Sequence, residues 1–103
     1  MDLVFDAIGD ATRRSVLDRL RTAGPLSLSE IAEPLPMTRQ AVTKHLNILE
    51  RAGLVERRRE GRERIHVAKG DSLKAVADWL APWDAAWDDR LGRLKRFVEG
   101  DDG

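Results

Sequence analysis

One segment, Thr38 to Glu50, sets the frame for the rest of this chain. Val42, Leu46 and Leu49 fall at i, i+4 and i+7, which is one apolar stripe on a helix. The opposite side carries Arg39, Gln40, Thr43, Lys44, Asn47 and, one residue further on, Arg51, with almost no acid among them. A helix that packs on one side and offers Arg, Gln, Thr, Lys and Asn on the other suits the base edges and phosphates of a DNA major groove. A solvated helix face has the same look in isolation. The flanking sequence therefore has to decide between them.

Upstream, Ser27-Leu28-Ser29-Glu30 has the spacing of a capping box, which predicts a helix starting at Leu28. Leu28, Ile31, Ala32 and Leu35 form its apolar side, and Pro34 and Pro36 stop it and stiffen the turn. Thr38 caps the next helix, and Gly53 ends it near Ala52. Residues 27–51 thus read as a short helix, a constrained turn and a second helix with a polar outer face, a helix-turn-helix pattern. Two more helices precede it. Asp2 to Ile8 is the first. Asp10 caps the second, which runs to about Thr22 with Val16, Leu17 and Leu20 inward, and Gly24-Pro25 ends it.

After Gly53 the period changes. Residues 54–67 read as a hairpin: Leu54 to Arg59 and Arg64 to Val67 flank Glu60-Gly61-Arg62-Glu63. Glycine at the first central position is what a type II′ turn needs. Ile65 and Val67 fall on one face of the second strand, Arg64 and His66 on the other. The arginines at 57, 58, 59, 62 and 64 make a poor core element but a good clamp for phosphates or a minor groove. Residues 71–99 then read as one long helix. Leu73, Val76, Leu80, Trp83, Trp87, Leu94 and Phe97 follow steps of three and four, with Arg90 breaking the series beside Leu91. This heptad-like seam on a small domain predicts a dimer interface, with a kink at Pro82 and a frayed tail at 100–103.

At 103 residues the chain is the size of one small domain, read here as residues 1–99. Its formal net charge is zero, yet the charges are segregated. Residues 38–70 hold nine basic and four acidic side chains, whereas 1–37 hold four and six and 71–103 hold five and eight. A basic block between acidic flanks sets a local footprint for nucleic acid that the total conceals. The absence of cysteine removes disulfides, thiolate ligands and cysteine nucleophiles, and fits a cytoplasmic protein. No apolar run approaches membrane-spanning length, and the first residues lack the pattern of a signal peptide.

The order of these pieces resembles the ArsR/SmtB-type winged-helix repressors. The matching stretches are residues 5–14, 28–32, 37–46, 49–55 and 59–62, which together span most of the chain. The resemblance implies a mainly α fold with a small β-hairpin, in the order α-α-α-α-β-β-α, and a symmetric dimer with the first and last helices at the interface. Leu3, Val4, Leu73, Val76, Leu80, Trp83, Trp87, Leu91 and Leu94 are the interface residues so expected. By position, Thr38, Arg39, Gln40, Thr43, Lys44 and His45 belong to the reading helix, and Arg59, Arg62 and Arg64 to the wing. The chain departs from the metal-responsive members. It has no cysteine, and its only histidines, His45 and His66, fall in DNA-facing elements. It looks like the metal-independent branch, with no cofactor and no release by zinc, cadmium or As(III).

Trp79, Trp83 and Trp87 recur at i, i+4 and i+8. Such a stripe either packs or lines an apolar effector pocket, and packing is the better account. His45 sits between the apolar and polar faces, with a phosphate contact and a structural hydrogen bond equally open. Asp84, Asp88 and Asp89 fit a solvated face, since no motif pairs a nucleophile with a base and so none supports an enzyme. The leading reading is a repressor that binds double-stranded DNA as a homodimer. A protein-binding winged-helix module without DNA, and a small-molecule-responsive repressor using the Trp-lined helix, are the alternatives. The effector, if one exists, is unknown.

Overall fold

A computed structural model describes residues 2–84. Four helices come first or centrally: α1 (Asp2–Ile8), α2 (Ala11–Ala23), α3 (Leu28–Ala32) and α4 (Arg39–Arg51). The strands are β1 (Leu26–Ser27), β2 (Val55–Glu60) and β3 (Glu63–Ala68). A last helix, α5, starts at 73 and is helical as far as 84, on both sides of Pro82. Trp87, Leu91 and Leu94, the rest of the seam, and the tail at 100–103 lie outside the described residues.

The caps act as the sequence predicts. Asp10 accepts from the Arg13 amide at 3.0 Å, Thr38 from the Ala41 amide at 3.1 Å, and Ser27 and Glu30 exchange both bonds of a capping box. The Ser27 backbone amide, and after it the Ser27 hydroxyl, hold the Glu30 carboxyl below its ordinary pKa. The β2–β3 turn places Glu60 opposite Glu63, leaving Gly61 and Arg62 between them. Gly61 has φ +60° and no non-glycine residue among those described, Arg62 included, has positive φ, which fits type II′ and excludes type I′.

Two expectations need correction. The hairpin is not alone, because β1 pairs antiparallel with β3 and gives the order β1-β3-β2. A two-residue strand is too short to show alternation in a sequence. The third helix also ends at Ala32, so Leu35 joins the core from the following turn rather than from the helix.

The core gathers one face from each helix: Val4 and Ala7, Val16 and Leu20, Ile31, then Val42, Leu46 and Leu49. Leu26, Leu54, Val55 and Val76 close it from the sheet side and α5. Val4 and Val76, expected at a dimer interface, are therefore inside the protomer, at 6% and 7% exposure. Leu73 is also partly buried against this core. What α1 and α5 leave outside is Leu3, Trp79, Leu80 and Trp83. Trp79 stands edge-on to Phe5 of α1 at 5.7 Å, so the outer apolar surface runs across both helices.

Gly53 closes α4 in a conformation that other residues avoid, with φ +78°. A Cβ there would also lie 2.6 Å from the Ser72 hydroxyl, just ahead of α5. Replacing Gly53 with Ala is expected to cost about 1–2 kcal/mol from the backbone alone. Removing the hydroxyl with Ser72→Ala should recover only the contact part. Denaturant midpoints of the single and double variants check this, and full recovery by Ser72→Ala would mean the backbone conformation is not the cause.

Candidate nucleic-acid interface

The position of α4 is fixed from the α2 side and from the sheet side, and its neighbours are tied together, by charged groups that look like free surface in the sequence. Arg13 of α2 donates to the carbonyls of Ala7 at 2.8 Å and Asp6 at 2.9 Å, closing the end of α1. Its Nη1 also lies 3.2 Å from Nδ1 of His45 on α4. A guanidinium only donates, so Nδ1 accepts. Arg14 reaches the Ile8 carbonyl at 2.7 Å. Arg19 reaches the carbonyls of Glu30 and Ile31 at 2.9 and 3.0 Å, tying α3 to α2. From the sheet side, Arg57 grips the Glu50 carboxylate through two bonds of 2.9 and 2.8 Å. That grip raises the Arg57 pKa above its ordinary value.

His45 thus sits half-buried on the flank toward α2, where the reading as a DNA contact gives way to a helix-positioning hydrogen bond. His66 is likewise not a free surface group. It is 7% exposed, and its Nδ1 lies 3.3 Å from the Leu26 carbonyl. The period-2 alternation puts Arg64 and His66 on one face correctly. What it cannot reveal is that α4 lies across from that face at the His66 end, with β1 paired beside it.

The outward side of α4 carries Gln40, Lys44, Asn47 and Arg51, all exposed, with Thr43 half-buried beside them. None of these side chains takes a hydrogen bond among the described residues. Thr38 is exposed but spends its hydroxyl on the cap. Arg39 donates to the Ser29 hydroxyl of α3, so it bridges the two helices of the motif. Asn47 and Arg51, left out of the expected contact set, share the open face with Gln40 and Lys44. Asn47 lies seven residues after Gln40 and Arg51 seven after Lys44, and that spacing is the signal that could have included them.

The wing arginines divide into two groups. Arg57 is held by Glu50, and Arg58 by Glu56 at 3.0 Å, with Lys69 also on Glu56 at 3.4 Å. Those bonds, the one from Arg58 first, hold the Glu56 carboxyl below its ordinary pKa. Arg59, Arg62 and Arg64 are exposed and enter no ion pair among the described residues. Arg59 and Arg64 even face each other across the strands. Like charges directly opposite are unfavourable in a free hairpin. An anion placed between them would offset that repulsion.

Among the described residues, no helix is long and apolar enough to cross a membrane, and no group of three or more potential metal ligands converges.

Residues 8–58 match the family described as a helix-turn-helix domain. The chain is 42% identical over 86 residues to the HTH-type transcriptional regulator YuzN of Bacillus subtilis, covering 77% of this chain and 94% of that protein. It is 32% identical over 80 residues to the transcriptional repressor SdpR of the same organism, covering 78% and 88%. Among solved structures, an ArsR-like transcriptional regulator from Rhodococcus sp. RHA1 superposes with a TM-score of 0.70 at 41% identity, covering 93% of this chain and 90% of that one.

Proposed function

Since the chain belongs to the ArsR-type winged helix-turn-helix transcriptional regulators, which bind DNA, we propose that it represses transcription as a homodimer on a pseudo-palindromic operator. The observation that carries this reading is the unpaired set: Gln40, Lys44, Asn47 and Arg51 on α4 beside Arg59, Arg62 and Arg64 on the wing. A protein-binding module has no need of that many uncompensated donors on one side. We place α4 in the major groove and the wing on the adjacent backbone or minor groove. The apolar surface of Leu3, Trp79, Leu80 and Trp83 supports pairing with a second copy. Two-fold symmetry then sets half-sites about one helical turn apart. The protein works in the cytoplasm, where its DNA is, and performs no catalysis. Repression follows when the dimer covers a promoter. Control by protein concentration through dimerisation needs no further ligand.

The roles within α4 are separable. Gln40→Ala should weaken operator binding by about 1–3 kcal/mol and relax preference at particular base pairs. Lys44→Ala should weaken all sequences alike and lower the salt dependence by about one phosphate contact. Gel shifts on the DNA upstream of the protein's own gene, followed by selection from a random duplex pool, read both. A Gln40→Ala protein with full affinity and unchanged preference would remove α4 from the groove.

A further inference from the structure

Between α4 and the sheet lies a cleft of about 210 Å³. Thr43, Leu46 and Asn47 line it from α4, Leu28 from α3, and Arg57, Arg64 and His66 from the strands. Arg57 is already engaged by Glu50, whereas Arg64 has no acidic partner among the described residues. His66 is more than nine-tenths buried and has an unused atom. A carbonyl oxygen only accepts, so the bond to Leu26 places the ring hydrogen on Nδ1. In the neutral ring Nε2 is then a bare lone pair, and it has no partner among the described residues. Burial pushes the His66 pKa down and Arg57 adds to this, while the Leu26 carbonyl and the Glu50 carboxylate pull it up. Neither β1 nor α3 brings a titratable side chain to the cleft, so Arg57, Glu50 and Arg64 are the charges that His66 meets.

We propose that this cleft receives one phosphate of the operator backbone and that Nε2 of His66 takes up a proton from solvent as the phosphate enters. A phosphate oxygen needs donors. Arg64, the Asn47 amide and the Thr43 hydroxyl offer them, but neutral His66 turns a lone pair toward the same space. Protonation converts that lone pair into a cationic N–H, and Nδ1–H stays on Leu26 throughout. The anion's charge offsets what it costs to charge a buried ring between two arginines. Operator binding is thereby coupled to pH. The free protein shows the opposite sign. Its unfolded chain protonates His66 near pH 6.5, before the folded chain does, so stability falls as pH drops below that value.

This inference rests on the helix-and-wing docking proposed above, and the test separates the two. The probe is a duplex that the protein selects from a random pool, titrated calorimetrically near pH 7 in phosphate-free buffers of different ionisation enthalpy. The expected result is net proton uptake, up to one per protomer, with affinity rising up to tenfold per protomer for each pH unit from 8 to 6. His66→Asn keeps an N–H for Leu26 but has no Nε2, and should abolish the uptake, whereas His45→Asn should retain it. On the wild-type protein, the imidazole resonances of His66 should titrate at higher pH in the complex than in the free protein, a readout that needs no variant to fold. Tight binding without proton uptake, uptake unchanged in His66→Asn, or an unmoved His66 titration would each overturn the proposal. Inorganic phosphate is the second arm: if it moves the His66 titration and the duplex does not, the cleft serves a free anion and not the backbone. Failure to enrich any duplex would instead sink the docking itself.

Discussion

Trp83→Asp is expected to turn the protein into a monomer at micromolar concentration without changing its helix content. Trp83 is 64% exposed and meets only Trp79 among described aromatic rings, at 6.1 Å, so the protomer core does not depend on it. In a dimer it would lie with Leu3, Trp79 and Leu80 at the centre of the apolar surface. A carboxylate placed there has to be desolvated against a copy of itself, which costs several kcal/mol. Two reading helices joined in one particle bind two half-sites as one event, and separating them forfeits about 100-fold or more in affinity. Sedimentation should show the monomer, and the variant should bind a full operator about as weakly as a single half-site. A Trp83→Asp protein that stays dimeric and keeps operator affinity would move the interface elsewhere.

Arg13→Ala is expected to destabilise the fold by about 2–3 kcal/mol, much more than an ordinary surface arginine. One guanidinium serves the Ala7 and Asp6 carbonyls, His45 and, at 4.0 Å, Asp10, and its side chain is only 15% exposed. Losing it frees the end of α1 and unpins α4 from α2 together. Arg13→Lys should recover less than half, because one ammonium cannot present the planar fork that reaches four acceptors. Urea unfolding with an unchanged m value is the measurement, and a loss under about 0.5 kcal/mol would show that Arg13 does not join these helices.

The helices and their caps were readable because each obeys a local rule within four residues: Asp10 with Arg13, Ser27 with Glu30, Thr38 with Ala41. The outer face of α4 was readable for the same reason, as the stripe of Val42, Leu46 and Leu49 fixes what points outward. What escaped were partnerships between residues distant in the chain. Arg13 and His45 are 32 residues apart, and Leu26 and His66 are 40 apart. Their types suggest a solvated arginine and two exposed histidines, and only the packing of α2 on α4 and of β1 on β3 gives each an internal partner. Val4 and Val76 follow the same logic. A stripe shows that a side chain is buried but not whether its own protomer or a partner buries it.

The two-residue strand β1 has a consequence for how such a chain can change in length. Ser27 faces Ile65 across the sheet and also caps α3, so sheet register and helix start are one joint. An inserted residue between Leu26 and Leu28 would slip that register and turn Leu26 out of the core. The wing tip is free of this coupling. Gly61 and Arg62 lie beyond the last strand pair, and nothing stands within 4 Å of a Cβ added to Gly61. Insertions are therefore expected to be tolerated at the wing tip and rejected at β1, where the start of α3 is set. A longer wing would then change how far the hairpin reaches while leaving α3 and α4 in place.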